Sequence, residues 1–336
     1  MTLGCGVWSA TVLARGGGSV VATDVPATQI SVQMRRSETG DATVDVLDRR
    51  VCATLGETVR AWSHEVALYR DGSLAWVGPV VGRRISGDRL TWRCRDLSVW
   101  LTRRFAREVV ATAADAAEVA ALVARGALAA DPVGLDVEWG AIGVLVSRAY
   151  AERDGKPAIE ALGEVVDAGA EWAVDRRTLR IGSAVSTADA GEVFGDGWVD
   201  EPDVEEDGLT AATRVLIAGP QQRDAAAILG DTTSAAGAAA YGLLEQRFQD
   251  DNARDQATAQ RLAAVAVARR AEPARLVAGG DLAPTAAVAW SDLRPGCGLW
   301  ATVRGAGRVH TRLDGVQVRV VGGRETVSVD LEAYDA

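Results

Sequence analysis

The stretch Glu65-Val66-Ala67-Leu68-Tyr69-Arg70-Asp71-Gly72-Ser73-Leu74-Ala75-Trp76-Val77-Gly78-Pro79-Val80 reads as two strands around a two-residue turn. Asp-Gly accepts the positive φ that a tight hairpin demands. A second hairpin follows, in which Gly87-Asp88 leads into a strand over 89–95. There Leu90, Trp92 and Cys94 share one face, and Arg89, Thr91, Arg93 and Arg95 share the other, so one face is expected to be buried and the other wet or set against a partner. Upstream, strand-like runs at 7–13, 19–25, 29–34 and 42–47 are separated by turn compositions, among them the glycines at 16 to 18. Many short strands at this spacing predict a barrel or a sandwich.

Near residue 102 the pattern changes. Residues 113–130 are Ala-rich, with Val119, Leu122, Val123 and Leu128 at three- and four-residue spacings, and the run stops before Asp131-Pro132; this predicts a helix. A second helix is predicted from Pro157, suited to a first helical position, up to Gly169. A small hairpin follows at 171–174 and 178–181, and the last third opens with a strand at 213–218. The low-complexity stretch 221–240 predicts a loop. Residues 243–270 predict a long helix, acidic early at Glu245 and Asp250 and basic late at Arg261 and Arg270, as the helix dipole favours. Turns at Arg294-Pro295-Gly296 and Asp314-Gly315 and strands at 299–303, 316–321 and 326–331 close the chain. The expected class is α+β: β modules at 1–105 and 206–336 flank a mixed domain at 106–205, with loop 221–240 and helix 243–270 inserted near the second module.

At 336 residues, 48% hydrophobic and 24% charged, the chain is long enough to bury real cores, which rules out disorder. Its 36 basic against 46 acidic residues give a net charge of -10, the wrong sign for a generic nucleic-acid binder. The basic residues are nearly all Arg, with Lys156 the only lysine, a bias that suggests a GC-rich genome. Cys5, Cys52, Cys94 and Cys297 lie far apart, so buried thiols are expected rather than a zinc knuckle or a disulfide framework. Neither a signal peptide nor a membrane span is visible. Ten Trp against three Phe hint at interfaces, because Trp suits places where a large apolar body meets a polar edge.

Catalytic chemistry has little to work with. His64 lacks a second His four residues on, His310 stands alone, and Lys156 lacks the upstream glycine of a phosphate loop. Between Arg180 and Arg214 lie nine acidic residues and no basic one. Such a run repels itself and predicts an exposed linker or domain boundary. The alternative is calcium: Asp203, Glu205, Asp207 and Gly208 mimic the start of an EF-hand loop, although Arg214 occupies the twelfth position where a bidentate Glu is needed. No residue is singled out as catalytic, cofactor-binding or metal-binding, and no cofactor is expected.

Several segments do form an ordered set with a family likeness. The stretch 69–80, the hairpin strand Glu171-Trp172-Ala173-Val174-Asp175, Tyr241-Gly242 ahead of a long helical segment, and Asp292-Leu293-Arg294-Pro295-Gly296 before a strand resemble minor tail proteins of long-tailed phages of high-GC Gram-positive hosts. This is the tail or baseplate hub family, related in fold to the central hub of contractile phage tails. The resemblance implies two β-barrel tube domains per chain and a homotrimer presenting six similar barrels around a channel. It also implies a non-enzymatic role in the virion tail tip after synthesis in the host cytoplasm. Implied partners are the tail tube or distal tail protein, the tape measure protein, and receptor-binding or fibre proteins, with DNA passing through unbound. A negative lumen, to which the 189–207 run or carboxylates of the β modules would contribute, would then repel DNA phosphates. The alternative readings are a tail-associated wall- or glycan-degrading enzyme, or another tail component such as a distal tail or receptor-binding protein.

Overall fold

The computed structural model describes residues 3–166, 169–182, 189–200, 202–220, 229–250, 253, 255–272, 274–304 and 307–333. Its N-terminal module consists of β1 (Trp8–Ala14), β2 (Val20–Val25), β3 (Ala27–Arg35), β4 (Asp41–Leu47), β5 (His64–Arg70), β6 (Ser73–Ser86) and β7 (Arg89–Arg95). A helix that the sequence reading did not foresee, α1 (Arg49–Thr58), follows β4 and is capped by Asp48, whose carboxylate accepts from the N–H groups of Arg50 and Val51. Asp71 and Gly72 take φ of 51° and 76°, as the tight turn requires. Strand β6 is the corner of the module: its first half pairs with β5 and its second half with β7. A Cβ at Gly78 would drive into the Arg95 carbonyl, and Pro79 has no N–H to give a ladder, so the switch of partners falls where side chain and donor are both missing.

The peripheral unit comprises α2 (Val99–Thr102), β8 (Val109–Asp115), α3 (Ala116–Ala129), β9 (Asp136–Trp139), β10 (Leu145–Tyr150), α4 (Ala158–Val166), β11 (Glu171–Asp175) and β12 (Thr178–Gly182). Both expected helices and the expected hairpin are present. Asp115 starts α3 by accepting from the Ala117 N–H, and its other oxygen holds the N–H groups of Ile142 and Gly143 at 3.0 and 2.8 Å.

The acidic run is not a linker. Its described part forms β13 (Asp189–Val193), β14 (Trp198–Asp200) and β15 (Val204–Asp207). Ala190, Val193 and Trp198 are buried, while Glu192 pairs with Arg308 at 2.8 Å and Asp189 lies 3.4 Å from His310. Burial of the apolar residues between the acids and the cross-strand pairing of Glu192 with Arg308 offset the repulsion that the sequence suggested. Residues 221–228 of the expected loop lie outside the described residues. The remainder of it forms β17 (Leu229–Thr233) and α5 (Ala235–Tyr241), on a small sheet with β16 (Arg214–Ala218) and β18 (Glu245–Gln249). The expected 243–270 helix is therefore only α6 (Gln256–Arg270), capped by Asp255. Its supposed first two turns alternate in exposure as a strand does.

The C-terminal module is completed by β19 (Ala274–Leu282), β20 (Gly298–Val303), β21 (Gly307–Val321) and β22 (Arg324–Ala333). Asp314-Gly315, expected as a turn, lies inside β21, where the ladder to β22 slips register. A Cβ at Gly315 would come within 2.8 Å of Asp330 Oδ2. The glycine serves here as a close-packed kink. Before the kink β21 pairs with β20; beyond it, residues 315–321 pair antiparallel with β3. Among the described residues that seam joins fourteen strands into one sheet. Two closed barrels were expected, but the described ladders trace an open path, because the edge of β3 that could close its module is taken up by β21.

The two β modules repeat one plan. A short strand, a long bent strand and a two-residue hairpin to a third strand occur as β5-β6-β7 and as β20-β21-β22. Across the sheet, the row Trp92–Val44–Ile30 corresponds to Val327–Leu282–Trp198. The hairpins even share spacing: Gly87, Arg89 and Thr91 match Gly322, Arg324 and Thr326. One hydrophobic core spans both β modules, and a second is shared by the peripheral unit and the β16–α6 segment. Gly78→Ala tests the corner of β6. Because the new methyl meets backbone, the variant should lose about 1–3 kcal/mol of stability in urea unfolding, whereas Gly72→Asn in the exposed turn should change it little.

Candidate functional site: a seam clamped by buried ion pairs

The geometry that distinguishes this molecule lies between its modules. Along the seam Val316, Val318 and Val320 face Met34, Val32 and Ile30, all six buried. Gln317 and Arg319 face Gln33 and Ser31 on the polar side. That polar side is mixed in charge: Arg89 pairs with Asp45 at 3.6 Å, Arg95 with Asp41 at 3.9 Å and Arg35 with Asp330 at 3.1 Å. Beside the seam this face therefore carries charges of both signs.

At one end of the seam Glu325 reaches out of β22 into the N-terminal module. Its oxygens accept from Arg70 Nε and Nη2 at 2.8 and 2.9 Å, from Trp8 Nε1 at 2.8 Å and from the Gly6 N–H at 3.1 Å. Both charged side chains are fully buried, and the Arg70 guanidinium lies over Trp290, which meets Trp8 edge to face. Burial opposes ionisation of Glu325, but the hydrogen bonds from Arg70, Trp8 and Gly6 outweigh it and hold the carboxyl below its ordinary range.

At the other end three units meet on one carboxylate. Glu171 of β11 accepts from Arg36 at 2.8 Å and from Arg312 of β21 at 2.7 Å. Arg36 also reaches Asp314 at 3.0 Å, and Glu332. Burial disfavours the Arg36 charge, yet Glu332, Glu171 and Asp314 raise its pKa above the usual guanidinium value. A third clamp is Glu65, fully buried, which accepts from the N–H groups of Gly16 and Gly17 and from Arg177 of the peripheral unit at 2.5 Å. Beside it Trp62 and Trp100 pack edge to face, with Arg15 and Arg104 over Trp100. The tryptophans expected at interfaces thus stand partly at interfaces inside the chain.

The residues weighed as chemical candidates are held apart. His64 accepts from the Arg60 N–H, His310 stacks on Trp300, and Lys156 pairs with Glu164. Cys52, Cys94 and Cys297 are buried thiols and Cys5 is exposed; burial drives the Cys94 thiol pKa well up. The EF-hand-like spacing does not form a loop, because β15 lies extended against β19. Among the described residues no cluster of three or more His, Cys, Asp or Glu could hold a metal ion.

No family model matches the chain, and no curated protein matches it in sequence. The likeness is one of shape. A tail protein from Neisseria meningitidis MC58 superposes with a TM-score of 0.66 over 98% of this chain and 97% of its own, at 13% identity. The 43 kDa tail protein of prophage MuSo2 from Shewanella oneidensis gives 0.65 over 96% and 98%, at 12% identity. The E. coli c3393 protein is a type VI secretion component described as structurally similar to the T4 bacteriophage tail proteins gp27 and gp5. It gives 0.57 over 96% of this chain and 77% of its own, at 11% identity. This chain has a phage tail-protein fold. The tail-protein fold holds over nearly its whole length, so the peripheral unit and the β16–α6 segment belong to it as well as the sheet. At such identities the likeness carries the fold alone, with neither residue roles nor the host.

Glu325 yields a prediction with a defined sign. Arg70→Met leaves a buried carboxylate without its cation and should cost about 3–5 kcal/mol in chemical denaturation; adding Glu325→Gln should recover part of that loss. Because the folded carboxyl titrates below its ordinary value of 4.5, its contribution is complete above that pH and fades as the pH falls through the folded value. The stability gap between the native chain and Glu325→Gln should therefore be constant from pH 6 to 8 and shrink below about pH 4.

Proposed function

We propose that this protein is a structural hub of a phage tail tip, acting through its surfaces and not through catalysis. The observation that carries the reading is the fusion of two β modules of one plan into a single sheet, in a fold shared end to end with phage tail proteins. Three such chains present six similar modules, which lets a threefold tip meet a sixfold tube. In this reading the homotrimer sits on the tail axis of the virion, contacts the tail tube or distal tail protein, the tape measure and fibre proteins, and leaves a channel for DNA during host entry. The mixed polar face of the sheet bears on the channel: alternating Arg–Asp pairs neutralise one another locally, so DNA would meet neither a sticky basic wall nor a strongly repelling one.

Two measurements test this. Mass photometry of the purified chain at micromolar concentration should show three chain masses, and a map of intact particles should place three copies on the tail axis. A peripheral position would overturn the hub assignment in favour of a receptor-binding component. Purified protein incubated with host cell wall should release no soluble sugar or peptide; turnover abolished by a single carboxylate substitution would replace the structural reading with an enzymatic one.

A further inference from the structure

The repeat leaves on the polar face a shared motif that the fold does not require. Arg84-Ile85-Ser86-Gly87-Asp88-Arg89-Leu90-Thr91 of the β6–β7 hairpin and Arg319-Val320-Val321-Gly322-Gly323-Arg324-Glu325-Thr326 of the β21–β22 hairpin hold Arg, Gly, Arg and Thr at the same four places. Their ladders agree as well, with Arg84 opposite Thr91 and Arg319 opposite Thr326. Core packing does not account for the match, because the buried position between the second Arg and the Thr is Leu90 in one hairpin and Glu325 in the other. What the hairpins share faces outward: all four arginines are exposed. The ion pairs of that face do not use these arginines up. Arg89 stands 3.6 Å from Asp45 with 55% of its side chain still exposed, and among the described residues Arg84, Arg319 and Arg324 form no ion pair. At the first hairpin the motif borders a hollow of about 500 Å³, lined by Leu47, Arg84, Ser86, Arg89 and Thr91. Each motif also has an aliphatic neighbour in the open: Leu47, opposite Arg89, is 58% exposed, and Val321, opposite Arg324, is 46% exposed.

We infer that each hairpin is a docking site for a carboxylate on an acidic, extended segment of a partner protein. The guanidinium groups take the carboxylate, whose two oxygens match their fork of N–H donors, and Leu47 or Val321 takes an aliphatic side chain beside it. A phosphodiester chain would satisfy the arginines but leave both aliphatic residues in water, whereas a peptide covers them. In the strand order β6-β7-β4-β3-β21-β22 the two sites lie four strands apart, about 19 Å at the usual spacing of neighbouring strands. An extended segment spans that distance in about six residues. A segment with acids at this spacing engages both sites at once, and its second contact is then intramolecular. Both sites are complete within one chain, so the inference does not rest on the hub reading.

Fluorescence anisotropy at low salt tests it with a labelled nonapeptide that carries Glu at its second and eighth positions, Leu on either side of each, and Gly and Ser between. This peptide should bind about tenfold more tightly than one with Gln in place of the second Glu, and more weakly as salt rises. Arg84→Ala and Arg319→Ala each remove one site, so either should bring the two-Glu peptide down to the affinity of the one-Glu peptide, and the double variant should bind neither. All these positions are exposed, so thermal melts should match that of the native chain. Equal binding of a peptide with both Glu replaced by Gln, undiminished binding to the double variant, or no binding up to millimolar peptide would overturn the proposal. Tighter binding of a short oligothymidylate would overturn it too, making the hairpins a nucleic-acid surface.

Discussion

Everything in this molecule depends on where β3 places its outer hydrogen bonds. A strand at the rim of a barrel would ordinarily close onto its neighbour in sequence, here β2 across Pro26. Instead β3 joins β21, nearly three hundred residues away, and the backbone ladder that would have sealed one module welds two together. The buried carboxylates then follow a common logic. Glu325, Glu171 and Glu65 each stand where two or three units meet, and each is held by Arg together with backbone or indole N–H groups. Such pairs contribute little net stability against a well-packed apolar alternative. What they enforce is orientation, since a unit that docks wrongly strands a charge in the interior.

The near absence of lysine takes on a structural meaning in this light. A planar guanidinium can engage two or three acceptors at fixed angles and still stack on an indole, as Arg36 does with its carboxylates and Arg70 with Glu325 and Trp290; an ammonium group does neither well. Base composition can supply arginines, but their placement at the junctions is a matter of geometry.

Legibility in the sequence tracked how local the deciding physics was. The hairpin at Asp71-Gly72, the strands around it, α3, α4 and the β11–β12 hairpin follow from turn chemistry and periodicity within a few residues, and they came out as expected. Asp314-Gly315 did not. The dipeptide is the same, but its conformation is set by Asp330 and Met34 packing against it, neighbours that no short window contains. The acidic run was misread for a related reason: its strands pair with β19 and β20, and Glu192 finds its cation in Arg308, more than a hundred residues downstream. The β18 strand lost to a helix reading because Glu, Gln and Arg favour helices, and only its pairing with β16 overrides that preference. The repeat had one legible trace, the Gly-x-Arg-x-Thr shared by the hairpins at 87–91 and 322–326. Five positions are too few to align two modules until the strands around them are known.

Covalent linkage of the two modules also sets an order of events. Because β3 and β21 belong to one chain, their encounter is governed by an effective concentration that dilution cannot lower. The seam within the chain therefore forms as the chain folds, however scarce the protein is in the cell. Every later contact is bimolecular and waits on abundance. If the chain assembles into the proposed six-module ring, three chains would have to find one another instead of six, and no subunit would accumulate as a single module with its side of the seam exposed. Joining two copies of a fold end to end thus converts half of an assembly problem into a folding problem.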